Sequence, residues 1–351
     1  MASPARTCLG RRLRLVVGGA VVITALTTAT AGAALPPANS GAATAATADA
    51  PQPRRPATTL AEFVYHQGRF GRGVYTPLRE VPGAAITAHL GINNHGQITG
   101  TYVDAADVPN PDGTFDTGHG FVQDRRGHTT SFDVPGALIT LPNGINDHGQ
   151  ITGAYVASSA ASVHGFIRDR RGTMTTFEVP FGRLHSVSDI NNRGQIVGYY
   201  DEPDFAGGGG FLRDRDGTIT PVTYPGAPYT LVHGLNDRGQ LVGAYLEPGA
   251  APNPDGTIPA GTVHGFVWER GHFTSFDVPG SVYTQAFGVN NRGQITGGYY
   301  DASGRQLGFL RDGHRYRTLD TPGGNIATGI NDRGDVVLPD PRTAALLPVA
   351  N

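Results

Sequence analysis

The sequence predicts an all-β protein, a six-bladed β-propeller built from four-stranded antiparallel meanders, and three observations predict it. First, one ten-residue phrase recurs six times: GINNHGQITG at 91, GINDHGQITG at 144, DINNRGQIVG at 189, GLNDRGQLVG at 234, GVNNRGQITG at 288 and GINDRGDVVL at 329. The starts lie 53, 45, 45, 54 and 41 residues apart. Tandem units of this length stack or close into a ring, because one alone cannot bury its apolar face. Second, each interval divides into four short apolar runs separated by turn signals. Third, no stretch combines helix caps with an apolar period of 3.6 over three turns.

The amino terminus reads as a targeting segment. Arg6, Arg11, Arg12 and Arg14 make a positive stretch, an apolar run follows from Leu15 to Leu26, and Ala31-Gly32-Ala33 supplies small residues for cleavage. Residues 1–33 are therefore expected to be a signal peptide; an uncleaved membrane anchor is the competing reading. Arg11-Arg12 suggests twin-arginine export, but Arg14 stands where that signal wants an apolar residue, and the general route stays open. The single cysteine, Cys8, falls inside this segment, so the mature chain offers no thiol for a disulfide, a nucleophile or a metal. Residues 34–59, rich in Ala, Thr and Pro, read as a disordered linker. Residues 60–351 read as one repeat array.

Within a unit the turn chemistry fixes the strands. Residues 119–156 contain strand A (GFVQ), the turn DRRG, strand B (TTSFDV), the turn VPGA, strand C (ITLPNGI), the turn NDHG and strand D (QITGAYV). Asp or Asn opening a turn and Gly closing it suit a type I turn with a left-handed glycine, and Pro-Gly suits type II. The sheet is expected to run A-B-C-D. On that reading the D-to-A segments, which vary in length, carry the chain between blades, and they share a face with the VPGA turns. The AALLPV segment at 344 would close the ring beside the first blade. The 51 Gly and 26 Pro fall mainly at these turns, as in an all-β protein with tight connections.

The phrases HGFxxD, FDVPG and GINxxGQITG resemble those of the HAF family of extracellular bacterial repeats, over about residues 63–338. Gly stands here where the family's name has Ala. The resemblance implies a secreted, propeller-like protein whose biochemical role is unsettled, and it carries over no catalytic residue.

Charge excludes one class of partner. The formal net charge is -2 and all 27 basic residues are Arg, so no basic excess points to nucleic acid. The D-to-A segments collect acids and tyrosines, and Asp104, Asp201, Asp301, Glu247, Tyr200 and Tyr300 are candidate ligand-binding residues of an acidic mouth. Solvated loops account for the same composition. His119, His164 and His264 each precede Gly-Phe and are read as opening inner strands; they are candidates for binding, or for hydrogen bonds that brace the blade. Phe121, Phe166, Phe211, Phe266 and Phe309 are expected in the core between blades, and Asn93, Asn146, Asn191, Asn236, Asn290 and Asn331 as turn formers.

No metal site is assigned and no cofactor is required, although calcium is compatible with the loops; PNPDGT, at 109 and 252, falls short of a calcium-loop pattern. There is no GxSxG elbow and no HExxH, and nothing singles out a carboxylate pair, so no catalytic residue is named. The expected role is a secreted, monomeric, non-catalytic module for an extracellular glycan or protein, away from membranes once the leader is removed. A hydrolase or lyase of polysaccharide or lactone, and a wall-associated scaffold, are the alternatives.

Overall fold

The computed structural model describes residues 62–339 apart from 68–72, 108–113, 158–161, 204–206, 251–257 and 321–325, together with the backbone of Arg14–Val16 and Pro348–Val349. It is a ring of six antiparallel sheets, a six-bladed β-propeller, with no helix among the described residues. Blade I runs Ala84–Ile92, Ile98–Asp104, His119–Gln123 and Thr129–Phe132. Blades II to V repeat this order, with first strands Ala137–Ile145, Arg183–Ile190, Thr230–Leu235 and Ser281–Val289.

The sheet therefore runs C-D-A-B, not A-B-C-D. This corrects the expected phase. The phrase-bearing strand C lies at the axis, D and A follow, and B is the rim. Burial explains the order. Strand D of blade I is buried nearly throughout, whereas strand B, Thr129–Phe132, has no buried residue. The D-to-A segments are hairpins inside a blade, and the VPGA turn carries the chain to the next blade. His119, His164 and His264 accordingly open third strands, away from the axis.

Closure also differs from expectation. Blade VI takes Asp335–Leu338 from the end of the array and Phe63–Gln67 and Gly73–Pro77 from its beginning. Phe63, Val64, Tyr65 and His66 pair antiparallel with Leu338, Val337, Val336 and Asp335. The innermost segment of this blade is held by the Ile330–Val336 bridge and by Val337 N–H donating to Gly329 O at 3.0 Å. Glu62 pins the same amino-terminal strap to blade I, where its carboxylate takes a short hydrogen bond from the buried His89 ring. Residues 344–347 of AALLPV, like the leader and linker apart from Arg14–Val16, lie outside the described residues.

The turn and core expectations hold. Gly96, Gly149, Gly194, Gly239, Gly293 and Gly334 close the phrase turns at φ between 71° and 84°, a region that penalises any Cβ. Phe121, Phe166, Phe211, Phe266 and Phe309 have no solvent exposure. Phe166, Phe211 and Phe309 meet Phe132, Phe177 and Phe276 of the preceding blade edge-on, with centroids 6.2–6.4 Å apart.

Candidate functional site: the axial pocket and its asparagine-aspartate ring

At the face carrying the phrase turns, the six blades are stitched into a closed ring. The side-chain amide of Asn93 donates to the Asn146 carbonyl at 3.1 Å, and the pattern passes through Asn191, Asn236, Asn290 and Asn331 back to Asn93 at 3.0–3.1 Å. Each of these side-chain carbonyls also accepts main-chain N–H groups two and four residues on in its own turn. The asparagines are thus turn formers, as expected, and blade-to-blade links as well.

The next residue in each phrase builds a second ring, in which the sequence alternates: Asn94, Asp147, Asn192, Asp237, Asn291, Asp332. The main-chain N–H of each donates to the Oδ1 of the next at 2.7–2.8 Å. Every asparagine amide then donates to the Oδ2 of both flanking aspartates at 2.8–3.0 Å. The alternation has a chemical cause. An amide NH2 has two protons to give and a carboxylate only lone pairs, so donors and acceptors balance when the two residue types take turns. An odd number of blades would set two like groups side by side.

Inside this ring lies an axial pocket of about 160 Å³. Its wall comes from a bulge repeated in the inner strands. Leu90, Asn143, Ser188, His233 and Phe287 are each skipped in the pairing with strand D, and Thr328 holds the same place in blade VI. A bulge re-aims the extra side chain. Here it turns six unlike residues toward the axis. The residue that follows is Gly91, Gly144, Gly234, Gly288 or Gly329, because the inner strands nearly touch: a Cβ on Gly91 would stand 2.4 Å from the Asn143 carbonyl. In blade III that glycine is replaced by Asp189.

Asp189 and its neighbours break the symmetry. Its carboxylate accepts Ile190 N–H at 2.8 Å and Leu235 N–H of the next blade at 3.3 Å. Desolvation in the pocket wall pushes the carboxyl up to about 7, against these hydrogen bonds. Burial drives His233 the other way, down to about 3, so its ring is neutral. His233 Nε2 lies 2.5 Å from the Gln285 amide nitrogen and accepts from it, which leaves the proton on Nδ1. The Ser188 hydroxyl is enclosed and has no hydrogen-bond partner.

The two titrations act on stability with opposite signs. Asp189 holds its proton more tightly in the folded chain, so its contribution is greatest below about pH 4 and is lost as pH rises toward 7. His233 resists protonation when folded, so its contribution is complete above about pH 6.5 and is lost as pH falls toward 3. The stability gained by Asp189→Asn over the parent should therefore grow steadily from pH 4 to pH 7.5 in urea unfolding. A gain independent of pH would contradict a desolvated, titrating carboxyl.

The residues expected from sequence are not gathered at the axis. His119 Nδ1 pairs with Asp133 at 2.9 Å, His164 with Glu178, and His264 with Asp277 at 2.9 Å, each within its own blade. Their rings lie 5.1–5.4 Å from Tyr102, Tyr155 and Tyr245 on strand D. Asp201 pairs with His185 at 2.9 Å, Asp301 accepts the N–H groups of Ser303 and Arg305 in its own turn, and Glu247 is exposed in its hairpin. Tyr200 is buried, and Tyr300 packs near Tyr283 in the blade V sheet. Asp104, Asp107 and His119 bring their ligating atoms within 4.8 Å of one another, the closest approach to a metal cluster among the described residues. His119 has only Nε2 left to offer it. The acidic segments thus decorate hairpins at mid-blade, and the axial mouth is elsewhere.

The sequence did contain the missed signals: the alternating fourth letter of the phrase, and Asp189 as the one departure from glycine in its first. Ser188, His233 and Phe287 carry no repeat signature, and only the bulge brings them together.

By sequence, the chain matches no family model and no curated protein. By structure it is similar to TolB from Acinetobacter baumannii (12% identity, TM-score 0.47, 80% of this chain and 64% of that one). It is also similar to the propeller domain of the Trilobed protease from Pyrococcus furiosus (11%, 0.45, 70% and 76%) and to a putative gluconolactonase (12%, 0.40, 82% and 96%). Identities this low concern the propeller fold alone.

Proposed function

We propose that the protein is a secreted, non-catalytic binding propeller that takes a small ligand in the axial pocket. The observation that carries this reading is the Ser188 hydroxyl, enclosed at the pocket wall without a partner. An unsatisfied buried hydroxyl costs about 1–3 kcal/mol, and a ligand toward which it turns removes the penalty. The ring beside it spends its polar groups on holding blades together, so recognition falls to the six bulged side chains. A rigid scaffold presenting unlike side chains at one point suits a small-molecule site, whether of a binder or of an enzyme. The leader-like amino terminus and the extracellular repeat phrases support export, and the absence of repeat symmetry in the pocket argues against a pure scaffold.

A second reading, a hydrolase or lyase, draws on Asp189, whose carboxyl near 7 is tuned as acid-base catalysts are. One experiment separates the two. The purified chain is screened by native mass spectrometry against small metabolites and oligosaccharides, alongside Ser188→Phe and Leu90→Trp, which fill the pocket. Binding that is lost in both filled variants and retained in Asp104→Ala/Asp201→Ala is the expected result. Binding indifferent to filling would place the site outside the axis, and conversion of a bound compound would make the protein an enzyme.

A further inference from the structure

The six bulged side chains divide the pocket into two unlike halves. Blades II, III and IV contribute Asn143, Ser188 and His233, blades V and I contribute Phe287 and Leu90, and Thr328 of blade VI stands between those two with its hydroxyl donated to the Leu90 carbonyl at 3.1 Å. On the polar half the hydrogen-bonding capacity that remains is specific. Asn143 donates its amide to the Val187 carbonyl at 2.7 Å, leaving its own carbonyl oxygen as an acceptor. Ser188 has its whole hydroxyl free. His233 has its Nε2 occupied by Gln285 and presents Nδ1–H as a donor. No guanidinium lines this pocket, and the groups on this half carry no full positive charge.

The mouth adds a charge filter. Asp147, Asp237 and Asp332 surround the axis at the turn face, each carboxylate already supplied with amide donors. Arg193, Arg238, Arg292 and Arg333 follow the ring residues in the same turns but do not line the pocket, so an anion seated inside it meets the three carboxylates without a guanidinium beside it, which disfavours acidic ligands. A long chain does not fit either: the volume, about 160 Å³, suits one six-membered ring. A molecule with hydroxyls along one edge and C–H groups across one face satisfies both halves at once.

We propose that the axial pocket binds one uncharged pyranose ring, with its hydroxyl edge on Asn143, Ser188 and His233 and its C–H face on Phe287. This inference rests on the axial pocket being the ligand site and adds the class of ligand. Stacking of C–H groups on an aromatic ring and hydrogen bonds to neutral side chains are individually modest, so affinity in the micromolar to millimolar range follows. The same ring has two sources, a free monosaccharide or the end of a glycan, and a substituent at the anomeric carbon distinguishes them.

The test is calorimetric titration of the full chain with D-glucose, D-galactose, D-mannose and L-fucose, their methyl glycosides, glucuronate, glucosamine and benzoate. At least one neutral sugar should bind, with glucuronate and benzoate weaker by tenfold or more. Ser188→Ala, which removes a buried unpartnered hydroxyl and should raise the melting temperature rather than lower it, should weaken the sugar about tenfold. Phe287→Leu should do the same. Equal binding of the methyl glycoside assigns the ligand to a glycan end, and its loss assigns a free sugar; both support the ring. If none of the neutral sugars binds, or if glucuronate, glucosamine or benzoate binds more tightly, the pyranose assignment is overturned. A charged or aromatic ligand lost in Ser188→Phe would reject the class while keeping the site. Sugar binding that survives Ser188→Phe would reject both.

Discussion

Deleting residues 1–78 should abolish the single cooperative thermal transition of this protein. The deletion removes Phe63–Gln67 and Gly73–Pro77, two of the strands of blade VI, and leaves Asp335–Leu338 as a bare edge. Val64 and Tyr65 go with them, both almost fully buried, and Tyr65 packs with Leu310, Leu319 and Leu338 across two blades. Losing one large core side chain costs about 3–5 kcal/mol. Losing the ladder as well exceeds the 5–15 kcal/mol that a whole domain commonly has. Hydrogen exchange at Val336, which loses Tyr65 opposite it, should rise to unprotected rates, and the truncated chain should self-associate through the open edge. A synthetic peptide covering 60–80 should restore protection when added. A truncated chain melting within a few degrees of the parent would show that the ring is held without its amino-terminal strap.

Asn192→Asp should be strongly damaging, as should the same change at the equivalent Asn94 and Asn291, despite exchanging only a nitrogen for an oxygen. The variant sets three carboxylates in a row, at 147, 192 and 237, and removes the two amide donors that Asp147 and Asp237 share at 3.0 Å. Hydrogen bonds to charged acceptors contribute about 1.5–3 kcal/mol each, and the new repulsion adds to their loss. A loss of about 3–5 kcal/mol at pH 8 is expected, read from urea unfolding. The sign with pH is definite. Like charges raise the folded carboxyl values above the unfolded ones, so the damage is greatest at high pH and recedes as the medium is acidified to about pH 4. Asp147→Asn makes the contrasting control: it leaves amides facing amides, costs about 1–3 kcal/mol, and is not rescued by acid. Equal pH profiles for the two variants would mean that the ring is not electrostatically matched.

The blade count, the turns and the core phenylalanines were legible because each depends on local chemistry. Asn or Asp followed by Gly reports a left-handed residue at Gly149 whatever surrounds it. Phase was not local. Whether a sheet begins at strand A or strand C depends on which strand meets five others at the axis, and the four apolar runs look alike in sequence. One clue was present: TTSF at 129 alternates small polar residues as a rim strand does, while ITGAYV at 151 is apolar or small almost throughout, as an enclosed strand must be. A pair of strands before the first phrase was a second clue, since an A-B pair with no preceding C-D has to find its partners at the other end.

The site divides in the same way. The asparagine ring could be read from repetition, because equivalent residues make equivalent contacts. Asp189 was legible as an exception at a glycine position. The histidines misled because His119, His164 and His264 recur, and recurrence here marks bracing against Asp133, Glu178 and Asp277. The pocket residues do not recur at all. Their common property is the bulge that follows strand C around the axis, a geometric event with no fixed letter.

The alternation of Asn and Asp also restricts how the gene for such a ring can grow. Inserting one unit would place two identical partners next to each other at one junction, so copies are tolerated in twos. Doubling an ancestral half of three units would have repeated the order Asn-Asp-Asn, yet blade IV begins with Asp237 where that history requires Asn. Descent from a two-blade ancestor, copied three times, gives the observed order without further substitution.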